Sequence, residues 1–246
     1  MKIAFLTAGG IAPCLSASIG GLIKSYNSIF PTAELLGYLN GYKGLLTAQK
    51  ITIPDSVKKN TKIFDRYGGS PIGNSRVKLT NIENCVQQGY INDGQVPLEV
   101  AAQQLIKDKV DILHTIGGDD TNTMAAELSF YLKDNGHDLT VVGLPKTVDN
   151  DVYPITQTLG AYTAAEQGAI FFENLSNENT TSSRQLIIHE VMGRNCGWLT
   201  AQTAREYRQR LDTKEFLPEA LIERSRWDID AVYIPEMPLN FEIECE

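Results

Sequence analysis

Short apolar runs rich in β-branched residues recur along this chain, separated by longer stretches with helical spacing. That alternation makes a mostly parallel α/β sheet the architecture to expect. The apolar runs fall at residues 2–6, 34–38, 111–116, 139–144, 185–191 and 231–234. Helical spacing covers 16–28, 97–107, 121–133, 159–175 and 198–208, with Ser16 placed to cap the first helix and Pro97 opening the second. Polar, glycine-bearing loops follow several of the runs. In an open parallel sheet such loops gather at the carboxyl edge, where ligands bind.

Length and composition narrow the possibilities. A chain of 246 residues can form one large α/β domain or two smaller ones, and 42% hydrophobic residues are enough for a substantial core. A formal charge of −8 argues against a general grip on nucleic acid. It leaves room for phosphate ligands, which a few local cations and backbone N–H groups can hold. The longest apolar runs, such as 3–6 and 186–188, are far too short to span a bilayer. Met1 and Lys2 lead directly into a strand-like run rather than a signal peptide, so a cytoplasmic protein without a membrane partner is expected. Cys14, Cys85, Cys196 and Cys245 are scattered without a CxxC pair, and His114, His137 and His189 have no ligand spacing, so reduced thiols and no structural zinc are expected.

Five loops carry possible chemistry. Thr7-Ala8-Gly9-Gly10 is either an ordinary strand-to-helix turn or a place for backbone to approach a phosphate. Gly117-Gly118-Asp119-Asp120 combines room for phosphate oxygens with a carboxylate able to hold a bridging metal, and Asp120 either caps the following helix or excludes part of a ligand. Pro145-Lys146-Thr147-Val148-Asp149-Asn150-Asp151 supplies an ammonium, a hydroxyl and two carboxylates. In an extended loop Asp149 and Asp151 face the same way, as a general base and its helper would. The stretch from Gly68 to Lys78 is glycine- and serine-rich and carries Arg76 and Lys78. It suits phosphate as well as it suits a flexible connector. Met192-Gly193-Arg194 repeats the strand–glycine–arginine logic, with Arg194 free to meet a sugar phosphate or a carboxylate such as Glu190.

Taken together, the segments at 117–120, 145–151 and 192–194 resemble the phosphofructokinases, and the resemblance runs from Met1 to about Glu236. It implies two Rossmann-like three-layer α/β/α domains with mostly parallel sheets, at 1–155 and 156–246, the second incomplete. Members that use ATP carry glycine where this chain has Asp120 and Lys146. Members that use inorganic pyrophosphate carry aspartate and lysine there, as here. A carboxylate in the path of the ATP α-phosphate adds bulk and like charge, and two charges about 4 Å apart near a protein surface interact by ~4 kcal/mol before desolvation.

By the same resemblance Asp149 is the base for the C1 hydroxyl of fructose 6-phosphate, and Asp119 helps hold Mg2+. Gly10, Arg76 and Lys146 cradle pyrophosphate, with Lys78 beside them, while Thr147 and Asp151 contact the transferring group. Met192, Gly193 and Arg194 meet fructose 6-phosphate, and Arg184 reaches the substrate of a neighbouring subunit in a homo-oligomer, dimer or tetramer. The expected reaction is reversible and belongs to glycolysis. Family members continue beyond the equivalent of Glu246, so a truncated chain is also expected. Three rivals stand beside this reading: an ATP-dependent 6-phosphofructokinase, a nicotinamide- or lipid-kinase relative, and a non-catalytic regulatory subunit or fragment.

Overall fold

A computed structural model describes residues 1–182 and 185–244. It separates into two compact units, Met1–Thr147 and Val148–Glu246. In the first unit the elements run β1 (Lys2–Thr7), α1 (Leu15–Ile29), β2 (Glu34–Tyr38), α2 (Tyr42–Leu46), β3 (Lys50–Thr52), α3 (Asp55–Lys58), α4 (Ile82–Gln87), α5 (Pro97–Lys107), β4 (Ile112–Gly117), α6 (Asp119–Asp134) and β5 (Thr140–Pro145).

The strands form a sheet in the order β3-β2-β1-β4-β5. β1 pairs in parallel with β2 and β4, β4 pairs in parallel with β5, and β3 closes one side antiparallel to β2. A central strand covered on both faces should read as an unbroken apolar run, and Ile3, Ala4, Phe5 and Leu6 are all fully buried. Side chains alternate between the two faces. Ala4, Leu6, Leu36, Tyr38 and Leu113 meet Ala101, Ala102 and Leu105 of α5 and Met124, Leu128 and Leu132 of α6. Phe5 and His114 stand side by side in the ladder on the opposite face. There the His114 Nε2 lies 2.6 Å from the Tyr26 hydroxyl of α1. The first unit is thus a sheet between two helical layers.

Three details differ from the sequence-based expectation. The first helix starts at Leu15 with Cys14 at its cap position and no capping side chain, so Ser16 lies inside the helix and is buried. α6 starts at Asp119 with Gly118 as its cap residue, which places Asp120 within the first turn rather than at the cap. The short edge strand β3, which carries little apolar patterning, is unheralded in the sequence.

The second unit is built on α7 (Ala161–Asn179) and α8 (Trp198–Asp212), with a short α9 (Phe241–Glu244) near its end. Ala161, Ala165 and Ala169 form a buried stripe at four-residue spacing on α7, the geometry that lets two helices approach closely. Further along, the Phe172 ring of α7 and the Tyr207 ring of α8 meet edge to face at 4.8 Å. The Tyr207 hydroxyl donates to the Trp227 carbonyl at 2.5 Å. Glu173 of α7 accepts from Arg210 at 2.8 Å and also pairs with Lys214.

The strands expected at 185–191 and 231–234 do not form. A strand is held by its ladder, and neither segment has a ladder partner among the described residues. Leu186 and Ile188 are 83% and 84% exposed, so their apolar pattern has nothing to cover.

One buried tie joins the sheet layer to the start of α6. The Tyr42 hydroxyl donates to the Thr121 carbonyl at 3.0 Å. Tyr42→Phe should lower the stability of the chain by about 1 kcal/mol, read as a shift in the urea midpoint.

Candidate active site

β1, β4 and β5 lie side by side and run parallel, so Thr7, Gly117 and Pro145 end on one edge of the sheet. The loop before α4 joins them there. The Thr7 hydroxyl donates to the Gly73 carbonyl at 2.6 Å and lies 2.8 Å from the Ser70 hydroxyl. Asn74 donates to the Gly9 carbonyl at 2.8 Å, and the Gly9 N–H donates to the Ser75 carbonyl at 2.9 Å. This stretch is therefore a fixed wall rather than a loose connector, and it presents Arg76 and Lys78. A cavity of about 220 Å³ results, lined by Gly9, Gly10, Arg76, Lys78, Asp120 and Thr121 among others.

The two glycines of the first turn have different reasons to be glycine. Gly9 has φ +81° and a Cβ there would sit 3.1 Å from the Thr121 hydroxyl, so both backbone and neighbours require it. At Gly10 a Cβ would meet nothing within 4 Å. No packing demand explains it, and a side chain would simply occupy the cavity.

Lys146 continues the ladder, donating its N–H to the Gly117 carbonyl at 2.8 Å. Its side chain is only 1% exposed, and its ammonium donates to the Gly10 carbonyl. Burial pushes its pKa down, the nearby Cys14 thiol works in the opposite direction, and the Arg76 charge lowers it further. The Cys14 thiol is itself pushed up by burial. Asn122, which sequence reasoning missed, donates to the Gly117 and Gly118 carbonyls at 2.8 Å each and pins the β4–α6 turn. An asparagine one turn into a helix after two glycines was its only signal.

Asp119 and Asp120 are both exposed in the first turn of α6, where a helix N-terminus favours negative charge. Asp120 Oδ2 lies 2.6 Å from the Lys78 ammonium. Arg76 has no carboxylate partner among the described residues.

The segment 145–151 is divided between the units: Lys146 and Thr147 belong to the first, and Asp149, Asn150 and Asp151 to the second. An extended loop was expected at 149–151, but Asn150 is left-handed with φ 54°. Its side chain accounts for this. The Asn150 carbonyl oxygen accepts from the Thr158 N–H at 2.7 Å and the Thr158 hydroxyl at 3.1 Å, and its amide donates to Thr156 at 3.2 Å. Asp149 and Asp151 still sense each other. Burial raises the Asp149 pKa, and the charge of Asp151 raises it further.

Of Met192, Gly193 and Arg194, it is Gly193 that comes close to Asp149 within the second unit. Gly193 has φ +128°, and a Cβ there would collide with the Cys196 carbonyl at 2.2 Å and sit 3.7 Å from Asp149 Oδ1. The Cys196 thiol donates to the Asp149 carbonyl at 3.3 Å. Met192 is 71% exposed, and Arg194 is exposed with no carboxylate partner, Glu190 included, among the described residues. Glu236, also missed in the sequence, accepts from the Gly197 N–H at the start of α8 at 2.7 Å. Arg184 lies outside the described residues.

The phosphofructokinase family profile matches residues 2–210. This chain belongs to the phosphofructokinase family. Across the whole chain it is 54% identical, over 245 residues, to a pyrophosphate–fructose 6-phosphate 1-phosphotransferase of Methylotuvimicrobium alcaliphilum and 56% identical to one of Methylomonas methanica. It spans 60% of the length of each of these relatives. Among solved structures, a pyrophosphate-dependent phosphofructokinase from Marinobacter aquaeolei superposes with a TM-score of 0.73 at 22% identity, covering 98% of this chain and 55% of that one. That likeness confirms the α/β fold. Phosphofructokinase-family enzymes use a divalent metal, generally Mg2+. Among the described residues no helix is long and apolar enough to cross a membrane.

Two variants separate the roles of these groups. Gly10→Val should leave the urea midpoint of the chain near wild type, because a Cβ there meets nothing within 4 Å; a denaturant titration checks it. Asp149→Asn should stabilise the chain at neutral pH. The folded state holds the Asp149 pKa above its unfolded value, so the ionised carboxylate works against folding once pH rises through that raised pKa. Below the unfolded pKa both states are protonated and the penalty vanishes. Urea midpoints of the two proteins should therefore differ at pH 7 and converge at low pH.

Proposed function

We propose that this chain carries the donor-binding and phosphoryl-transfer residues of an enzyme that moves a phosphoryl group from inorganic pyrophosphate to the C1 hydroxyl of fructose 6-phosphate. The reaction yields fructose 1,6-bisphosphate and phosphate, and it is reversible. The observation that carries this reading is Lys146, an ammonium buried at a glycine turn where ATP-using members have glycine. A fixed cation in a confined space suits a short, highly charged donor. The names of the relatives 54% and 56% identical over the whole chain point the same way.

In this reading Gly10, Arg76 and Lys146 hold pyrophosphate, and Thr147 and Asp151 steady the group in transit. Asp149 takes the proton from the C1 hydroxyl as its oxygen bonds to the terminal phosphorus and the bridging P–O bond breaks, releasing phosphate. A carboxylate whose pKa is raised by burial and by Asp151 is a better base near neutrality than an ordinary aspartate. Met192, Gly193 and Arg194 serve the sugar side, and Arg194 supplies for the 6-phosphate a guanidinium without a carboxylate partner among the described residues. Arg184 serves a neighbouring subunit of a homo-oligomer, dimer or tetramer, and the enzyme works in the cytoplasm.

Asp119 would hold Mg2+. Among the described residues no group of three or more potential ligands exists, and a single exposed carboxylate beside a phosphate site fits an ion that keeps several waters and takes phosphate oxygens as ligands. When bound, the ion would neutralise charge on the phosphates.

A second reading, donor binding without turnover, draws support from the exposed Leu186, Ile188 and Met192, apolar side chains that the described residues leave uncovered. One experiment addresses both. Fructose 1,6-bisphosphate formation is followed with Mg-pyrophosphate and with Mg-ATP, alongside calorimetry of each donor. Turnover with pyrophosphate and little with ATP is expected, with Asp149→Asn slower by at least ~10²-fold and Lys146→Met weaker in pyrophosphate binding by about tenfold to a hundredfold. Preference for ATP would overturn the donor assignment, and binding without any product would leave the second reading standing.

A further inference from the structure

Resting on the reading of this chain as a pyrophosphate user, the geometry points to Lys78 as a positioning residue for donor choice: it latches Asp120 across the wall of the donor cavity. The Lys78 ammonium lies 2.6 Å from Asp120 Oδ2, and both residues line the cavity that also contains Gly9, Gly10 and Arg76. Their side chains are 49% and 67% exposed, so the pair stands on the solvent side, whereas Lys146 is buried.

Both ends of the latch are anchored. Next to Lys78, the Leu79 N–H donates to the Met124 sulfur of α6 at 3.0 Å, and the Lys78 carbonyl accepts from Asn81 at 3.2 Å. Next to Asp120, Thr121 is 1% exposed and its carbonyl takes the Tyr42 hydroxyl. Two fixed backbones therefore present the two charged groups to each other, and the ion pair joins the 68–78 wall to the first turn of α6.

The pairing changes what Asp120 can do. A lone carboxylate beside the cavity would act on an incoming phosphate by like charge. With an ammonium in contact, its field falls off as a dipole, and the cavity sees a nearly neutral bar. Asp120 then excludes a bulky donor by occupying space, and Lys78 is what keeps it in place. An unlatched, exposed aspartate would be free to rotate into solvent. The two cations of the loop thus divide the work. Arg76 lines the same cavity without a carboxylate partner among the described residues and remains available to phosphate, whereas the Lys78 ammonium is engaged.

The test is equilibrium binding of Mg-pyrophosphate and of a non-hydrolysable Mg-ATP analogue to wild type, Lys78→Met and Lys78→Arg. Exposed ion pairs are individually weak, so the expected gain in nucleotide affinity relative to pyrophosphate is about fivefold for Lys78→Met. Lys78→Arg, which keeps the pair, should restore the wild-type ratio. High salt should shift the wild-type ratio toward that of Lys78→Met, because screening loosens the latch. Loss of pyrophosphate affinity in Lys78→Met without any gain for the nucleotide would make Lys78 a direct phosphate contact and overturn the inference. Unchanged affinities for both ligands would overturn it too, by showing the ion pair to be inert. A wild type that binds pyrophosphate while Lys78→Met gains nothing sinks this inference alone. A wild type that binds neither ligand removes the proposed function and the inference with it.

Discussion

An ammonium group held out of water at the end of β5 is the constraint on which the first unit turns. Burying a charge is costly unless something offsets the lost hydration, and at Lys146 the partner is the carbonyl of Gly10. That contact requires β5 to sit beside β4, so that the Lys146 backbone can extend the ladder to Gly117. It also requires the β1 turn to be fixed, which the bonds of Thr7 and Gly9 with Gly73, Asn74 and Ser75 of the 68–76 loop accomplish. Burial, joined by the Arg76 charge, depresses its pKa against the opposing pull of the Cys14 thiol. A stability-optimised protein would not keep such a group. A buried, perturbed ammonium at the end of a strand is a candidate functional group on physical grounds.

The second unit shows the same pattern in its backbone. Asn150 is left-handed and Gly193 has φ +128°, two conformations that ordinary side chains avoid. Both lie next to Asp149, one by sequence and one in space, and both are over-determined. Asn150 is tied to Thr156 and Thr158 by its side chain, and Gly193 abuts the Cys196 carbonyl. Uncommon geometry concentrated around one carboxylate holds the backbone there in a fixed conformation. The α7–α8 pair supplies the rigid base, through the alanine stripe and the Phe172–Tyr207 contact.

Much of this was legible from the residues. β1, β2 and β4 were readable because buried parallel strands leave continuous apolar runs, β5 by its apolar run although none of its residues is buried, and α5 because Pro97 marks its start. The loops carrying Asp119 and Lys146 were readable as part of one sheet edge because glycine, lysine and aspartate at strand ends have few structural reasons to be there, whereas Gly193 follows a segment that forms no strand. Asn122 and Glu236 were not, since their work is to bond backbone groups that sequence spacing does not reveal. The runs at 185–191 and 231–234 misled for a related reason. Apolar alternation states what a segment could bury, not whether a partner strand is present to receive it.

Sequence alone determined the family, the mostly parallel character of the first unit's sheet and the chemical types gathered at its edge, because these follow from local pattern and residue identity. Only the tertiary structure decided which charges meet. Arg76 and Lys78 look equivalent on paper, yet one is left without a carboxylate partner and the other is bound to Asp120. Pairing of that kind depends on how a loop and a helix from distant parts of the chain are packed against each other, and ångström-scale separations between them are not encoded in spacing along the chain.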